Sequence, residues 1–190
     1  MLIHRNDSLT DVFSNVSDEL HRGAIERNHP FRFVSFATLD KEHINSRLVV
    51  LREVQDDLSF VIFTDSRSQK VTDLSENTTA TLLFWHAGKK VQVAAQGTVE
   101  LHQQDALSKK YWAGISIEGR KAYGSAISPG TTVDRPVLAH EWPDEISSEF
   151  FCVIVVRPQE MDILQLHKLS HYRTQFKHHD NEWLGSWVAP

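Results

Sequence analysis

Between Phe31 and Leu101 the chain places five short runs rich in β-branched and aromatic residues, separated by polar turns: Phe31 to Thr38, Arg47 to Leu51, Leu58 to Thr64, Ala80 to Trp85 and Val91 to Leu101. Connections this short leave no room for the dozen or so residues of a parallel crossover, so the strands must pair mostly antiparallel. Ala87-Gly88 supplies the turn between the fourth and fifth runs. A meander or barrel follows, which makes the chain mainly β.

Helices are expected only at the periphery. Ser8 is an N-cap candidate ahead of Leu9, Val12, Phe13, Val16, Leu20, Ala24 and Ile25, whose spacing predicts an amphipathic helix over about 8–28, closed by Pro30. Ser68, Val71 and Leu74 have helical spacing, and a further helix is expected from Gln104 through Trp112. Strand chemistry returns from Glu149 to Leu166, with a break expected at Arg157-Pro158, and Tyr172 to Val188 reads as a last hairpin. With 190 residues, no internal repeat and no linker-like stretch, residues 1–190 read as one domain.

Composition excludes several classes of function. The net charge of -5 lacks the basic footprint of a nucleic-acid binder, and 41% hydrophobic with 24% charged residues rules out a disordered chain. The longest apolar runs fall far short of the roughly 20 residues that span a bilayer as a helix. No secretion signal is visible at the start, and Cys152, the one cysteine, lies in the apolar run from Phe150 to Val156, so burial and a reducing, cytoplasmic setting are expected. Glycine-rich nucleotide fingerprints and the nucleophile elbow are absent. His167 with His171, and His178-His179-Asp180, are better read as strand and turn residues than as ligands, so no metal is expected.

Two segments carry the chemistry. In Arg47-Leu48-Val49-Val50-Leu51-Arg52, strand alternation sends Arg47, Val49 and Leu51 to one face and Leu48, Val50 and Arg52 to the other, so each face holds an arginine among apolar residues. In Phe63-Thr64-Asp65-Ser66-Arg67-Ser68-Gln69-Lys70, a strand runs into a helix start where hydroxyls, Arg67 and Lys70 gather, a setting that favours an anion. An edge strand followed by a simple cap accounts for the same residues equally well.

These segments, with Leu74 to Asn77, Leu82 to Trp85, Val91 to Gly97 and, near the end, Phe151 to Met161, His171-Tyr172-Arg173 and Trp183 to Pro190, resemble the pyridoxamine 5'-phosphate oxidases in order and spacing. The resemblance implies an antiparallel Greek-key split β-barrel that is a homodimer with FMN between subunits. Carried over by position, Arg47 and Lys70 would contact the FMN phosphate with Ser68 and Thr64 assisting. Leu48, Val49, Val50 and Leu51 would line the flavin, Phe63 and Gln69 belong to the same cofactor set, and Arg52 stands where the family has a lysine. Gln92, across the subunit interface, and Arg173 would approach the flavin. Tyr111 and His171 would face a small-molecule substrate, with His171 able to exchange a proton near neutral pH.

The departures fall where the family recognises its substrate. Leu169 replaces an arginine two positions before His171, Ile163 stands where a tryptophan flanks the flavin, and the arginine and serine expected after Tyr111 have no counterpart in Ala113 to Arg120. The expectation is an FMN-dependent oxidoreductase of an uncharacterised branch. A genuine pyridoxamine 5'-phosphate oxidase, a flavin- or haem-binding module without catalysis, and a barrel with an emptied site are the alternatives. Trp183, Trp187 and the Tyr111-Trp112 pair are read as packing residues.

Overall fold

Ser8 and Asp11 form a reciprocal capping box that starts α1, Leu9–Ile25. The computed structural model describes residues 1–41 and 43–190. Helix α1 turns Val12, Val16, Leu20 and Ala24 into the main hydrophobic cluster and ends at Ile25, short of residue 28. Pro30 then opens a 3-10 turn, Pro30–Arg32, so the first strand begins two residues later than Phe31.

The strands are β1 (Phe33–Asp40), β2 (His43–Val54), β3 (Phe60–Asp65), β4 (Thr79–His86), β5 (Val91–Gln103), β6 (Phe151–Gln165), β7 (Tyr172–His179) and β8 (Glu182–Val188). Helix α2 (Gln69–Glu76) joins β3 to β4, and α3 (Ala106–Ala113) and α4 (Ile117–Arg120) precede β6. Every pairing is antiparallel, in the order β3-β2-β1-β4-β5-β6-β7-β8. Strand β3 also pairs with β6, closing β1 to β6 into a six-stranded barrel, and β4 returns beside β1 as in a Greek key. The barrel interior is filled by residues such as Phe36, Phe60, Leu82, Phe84 and Ile154. A smaller cluster outside it joins Val61, Tyr123, Phe151, Val153 and Val155, with Tyr111 and Trp112 packed against it.

Two structural details shape the functional surface. Strand β6 is not broken at Arg157-Pro158: Pro158 lies opposite Gly97 at a register shift between Gln96 and Gly97, where a bulge accommodates the missing N–H. A Cβ on Gly97 would sit 1.9 Å from the Arg157 carbonyl oxygen, so only glycine permits this approach. The second detail is the short pairing of β2 with β3, between Leu51–Val54 and Phe60–Ile62. Beyond it the strands part, β3 continuing along β6, and a cleft opens between Arg47–Val50 and Phe63–Ser68.

Three packing expectations resolve differently from one another. Cys152 is buried. Trp183 packs half-buried against the core, whereas Trp187, on the same face of the edge strand β8 but opposite Thr174 near its end, is 44% exposed. Ile163 points into the barrel core.

Candidate functional site

The split between β2 and β3 gathers Arg47, Leu48, Val49, Val50 and Arg52 with Phe63, Thr64, Ser68 and Lys70 around one cleft of about 320 Å³. Tyr123 and Pro129 close it from the long segment before β6. Residues far apart in β2, β3 and α2 thus converge where the barrel wall opens.

At its polar end Lys70 Nζ donates to Thr64 Oγ1 at 3.0 Å and to Ser68 Oγ at 3.1 Å. Among the described residues no carboxylate pairs with Lys70, and burial, followed by the nearby Arg47 charge, pushes its pKa below the usual lysine value. Ser68 is the N-cap of α2, yet its hydroxyl makes no cap bond and donates instead to the Asp65 carbonyl at 2.7 Å. A desolvated ammonium beside an uncapped helix start is electrostatically incomplete and suits an anion such as a phosphate.

Arg47 is aimed from behind. Its guanidinium donates to Thr38 Oγ1 at 2.6 Å and to Asp73 Oδ2 at 3.4 Å. Buried Asp73 also accepts from Thr38, Asn45 and Gln69, and although burial alone would raise its pKa, these hydrogen bonds and Arg47 bring it below the usual range. Asp73 is therefore a fixed charge that holds Arg47 at the cleft. Sequence reading missed Asp73, which lies off the Val71–Leu74 apolar stripe of α2 and declares itself only through its partners Thr38, Asn45, Arg47 and Gln69.

Other expected residues lie elsewhere. Leu51 is fully buried in the barrel, and Gln69 is committed to Asp73 at 2.9 Å. Arg67 is taken by Asp65 at 2.7 and 3.0 Å and stacks on Phe150, so it is no part of the anion seat. Gln92 on β5 and Arg173 on β7 flank Leu164 of β6 in register and lie outside the cleft of their own chain. Arg173 is paired with Asp162 at 2.8 Å, and His171 is exposed, its Nδ1 accepting from the His167 amide.

A second pocket of about 290 Å³ shares Arg52 and Phe63 with the cleft and adds Glu53, Lys110 and Tyr111. Arg52 donates to Tyr123 Oη at 3.1 Å. Neither Glu53 nor Tyr123 was singled out from sequence. A larger cleft of about 570 Å³ lies between α1 and the β7–β8 turn, but its cation, Arg157, is already bound by Asp57 and Glu100.

Glu19, His29 and His86 approach one another as metal ligands do. The hydrogen bonds argue for a different role. Nδ1 of His29 accepts from the Phe31 amide and Nδ1 of His86 from the Lys89 amide, both at 3.1 Å, so each ring carries its proton on Nε2. Those Nε2–H groups point at Glu19 Oε1 from 3.0 and 3.4 Å, where a metal would need bare nitrogens.

Residues 21–160, more than half of the chain, match the family model described as Pyridoxamine 5'-phosphate oxidase. The chain belongs to this family. A pyridoxine/pyridoxamine 5'-phosphate oxidase of Kineococcus radiotolerans is 33% identical over 142 residues, 67% of this chain and 58% of that protein. Its counterpart in Thermosynechococcus vestitus is 47% identical over 55 residues, 29% of this chain and 26% of that one. The matches thus span only part of the curated relatives' length. Among solved structures, a pyridoxamine 5'-phosphate oxidase-related, FMN binding protein of Nostoc punctiforme superposes with a TM-score of 0.77 at 22% identity, covering 93% of this chain and 96% of that one. PhzG of Burkholderia lata, solved with tetrahydrophenazine-1-carboxylic acid, gives 0.75 at 21% identity over 94% and 92%. At such identities the structures share the split-barrel fold of the pyridoxamine 5'-phosphate oxidase family.

Proposed function

We propose that the chain is an FMN-binding oxidoreductase acting on a small organic substrate, working as a cytoplasmic homodimer. The observation that carries this reading is the Lys70 ammonium, held by two hydroxyls and by no carboxylate among the described residues, beside Arg47 at the open wall of the barrel. Family membership and the FMN-binding relative from Nostoc punctiforme support it. Lys70, Thr64, Ser68 and Arg47 would hold the phosphate, Arg47 and Lys70 by charge-assisted hydrogen bonds. Val49, Val50 and Phe63 would flank the ring system as apolar walls. Arg52 enters the cleft from the opposite face of β2 to Arg47 and supplies a second cation to its far side.

When bound, FMN supplies the hydride and electron chemistry. The protein's part is to seat the phosphate, screen the ring from water and place a cation near it. A single-chain cleft of about 320 Å³ is at the low end of ligand sites, roughly 300–1,000 Å³, which supports completion by a second subunit. Phe33, Leu48, Leu83 and Trp85 form an exposed apolar face on adjacent strands, with Gln92 and Arg173 on the same face. In the dimer this face would cover the partner's cleft and bring Gln92 and Arg173 to it. No helix among the described residues is long and apolar enough to cross a membrane.

The test is direct. The purified protein is incubated with FMN, freed of excess by gel filtration, and its absorption spectrum recorded with the mass of the released cofactor. A stoichiometric flavin band, reduced by NADH or NADPH and reoxidised in air, is the expected result. A colourless protein would refute the cofactor assignment, and a flavin inert to every donor would favour a binding module.

A further inference from the structure

Strand alternation should send Arg52 and Glu53 to opposite faces of β2, yet both line the pocket beside the flavin cleft. The cause is the register shift between Leu51 and Glu53 in the β2–β3 pairing, a bulge that turns consecutive side chains to one side. From this placement we infer that the pocket selects a substrate carrying an amine or ring N–H together with a carboxylate, and rejects phosphate esters. The inference rests on the flavin reading for the chemistry but not for the recognition.

The open valences of the pocket define that ligand. Glu53 Oε2 accepts the Tyr111 hydroxyl at 2.9 Å, and its Oε1 has no partner among the described residues, leaving an acceptor for a substrate N–H. Tyr111 has spent its proton on Glu53, so its oxygen has none to give a substrate. Burial first, then Glu53, pushes the Tyr111 pKa up to about 12, so the hydroxyl stays protonated and this polarity holds across the physiological range. Arg52, engaged through one nitrogen with Tyr123, and Lys110, whose ammonium lies 5.8 Å from the Tyr111 ring, offer donors to a carboxylate. Phe63 and Tyr111, with ring centroids 5.1 Å apart, form an apolar wall for a flat ring.

A phosphate dianion would gain from Arg52 and Lys110 but would meet the Glu53 carboxylate and a tyrosine oxygen with no proton to give. Like charge at this range is a repulsive element that discriminates between ligands. A zwitterion satisfies both signs at once.

Calorimetric titration separates the possibilities, using meta-(aminomethyl)benzoate, benzoate and phenyl phosphate as probes on FMN-loaded and FMN-free protein. Meta-(aminomethyl)benzoate should bind at least about tenfold more tightly than phenyl phosphate. Glu53→Gln, which keeps an oxygen to accept Tyr111, should bring that ratio to within about threefold by weakening the zwitterion and strengthening the phosphate ester. Lys110→Met should weaken both probes that carry a carboxylate. Phenyl phosphate binding as tightly as the zwitterion, no binding by any probe, or a ratio unchanged in Glu53→Gln overturns the inference. A colourless protein that ranks the probes as expected would refute the cofactor reading while the pocket assignment stands, and a yellow protein that prefers phenyl phosphate would do the reverse.

Discussion

Arg47 and Lys70 face the same anion seat but are built differently, and their variants should separate accordingly. Arg47 is braced by Asp73 and Thr38, so Arg47→Ala removes one charge-assisted contact worth roughly 1.5 to 3 kcal/mol and should raise the FMN dissociation constant by about tenfold or more. Asp73→Asn should weaken binding in the same direction through misplacement of Arg47. Fluorescence titration of FMN reads both, and an unchanged constant in Arg47→Ala would overturn the phosphate assignment. Lys70 adds a pH dependence. Its pKa is depressed in the free protein by burial and by Arg47. A bound phosphate favours the ammonium and raises that pKa, so binding takes up a proton once the pH exceeds the free-protein value. Affinity should therefore fall as pH rises through the depressed Lys70 pKa. Lys70→Met should bind more weakly and lose that alkaline limb. A limb that persists in the variant would assign the titration to another group.

At the scale of elements, Glu19 joins α1 to the turn before β1 and to the β4–β5 hairpin. Its buried carboxylate accepts from Lys89 at 2.5 Å, from Arg22 at 3.0 Å and from His29 at 3.0 Å. Burial alone would raise the Glu19 pKa, but the Lys89 hydrogen bond and the charges around it leave it lowered. A carboxylate lowered on folding contributes stability that is present above its unfolded pKa of about 4.3 and is lost as pH falls through the folded value. Urea denaturation of the wild type should therefore lose stability below about pH 5 more steeply than Glu19→Gln, by up to about 1.4 kcal/mol per pH unit for the one proton involved. At neutral pH the variant should be less stable by about 1 to 3 kcal/mol. Parallel pH profiles for the two proteins would remove Glu19 from the list of groups that set acid stability. This junction was not legible in the sequence, because nothing in local spacing brings positions 19, 29, 86 and 89 together. The strands were legible through their alternation, and so was the cationic character of Arg47 and Lys70. The unbroken course of β6 was not, since Pro158 reads locally as a breaker and only its place opposite Gly97 on the neighbouring strand shows how the bulge absorbs it. Glu53 was hidden for the same reason, its direction being set by a bulge and not by the alternation a single strand displays.

The whole molecule presents an asymmetry that argues for a second copy. Phe33 is 61% exposed, Leu48 70% and Trp85 44%, while the barrel interior beneath them is fully packed, so the apolar surplus on this face has no use within one chain. Leu48 and Leu83 both pair with Ser35, Phe33 pairs with Val50, and Trp85 pairs with Gln92, which makes the patch continuous across β2, β1, β4 and β5. The patch also borders the cleft, because Leu48 and Val50 belong to both. A closed two-fold arrangement of such a face is self-complementary and would tie assembly to cofactor binding. Trp85→Glu lies outside the cleft of its own chain, so a purely local effect should leave FMN affinity alone. If the face is the dimer interface, the variant should sediment as a monomer at concentrations where the wild type is a dimer, and should bind FMN at least about tenfold more weakly without losing its far-ultraviolet circular dichroism spectrum. FMN should also raise the melting temperature of the wild type more than that of Trp85→Glu, since ligand bound between subunits stabilises the assembled state. A variant that remains dimeric, or a monomer with undiminished FMN affinity, would place the cofactor within one subunit and leave the outer face to another partner.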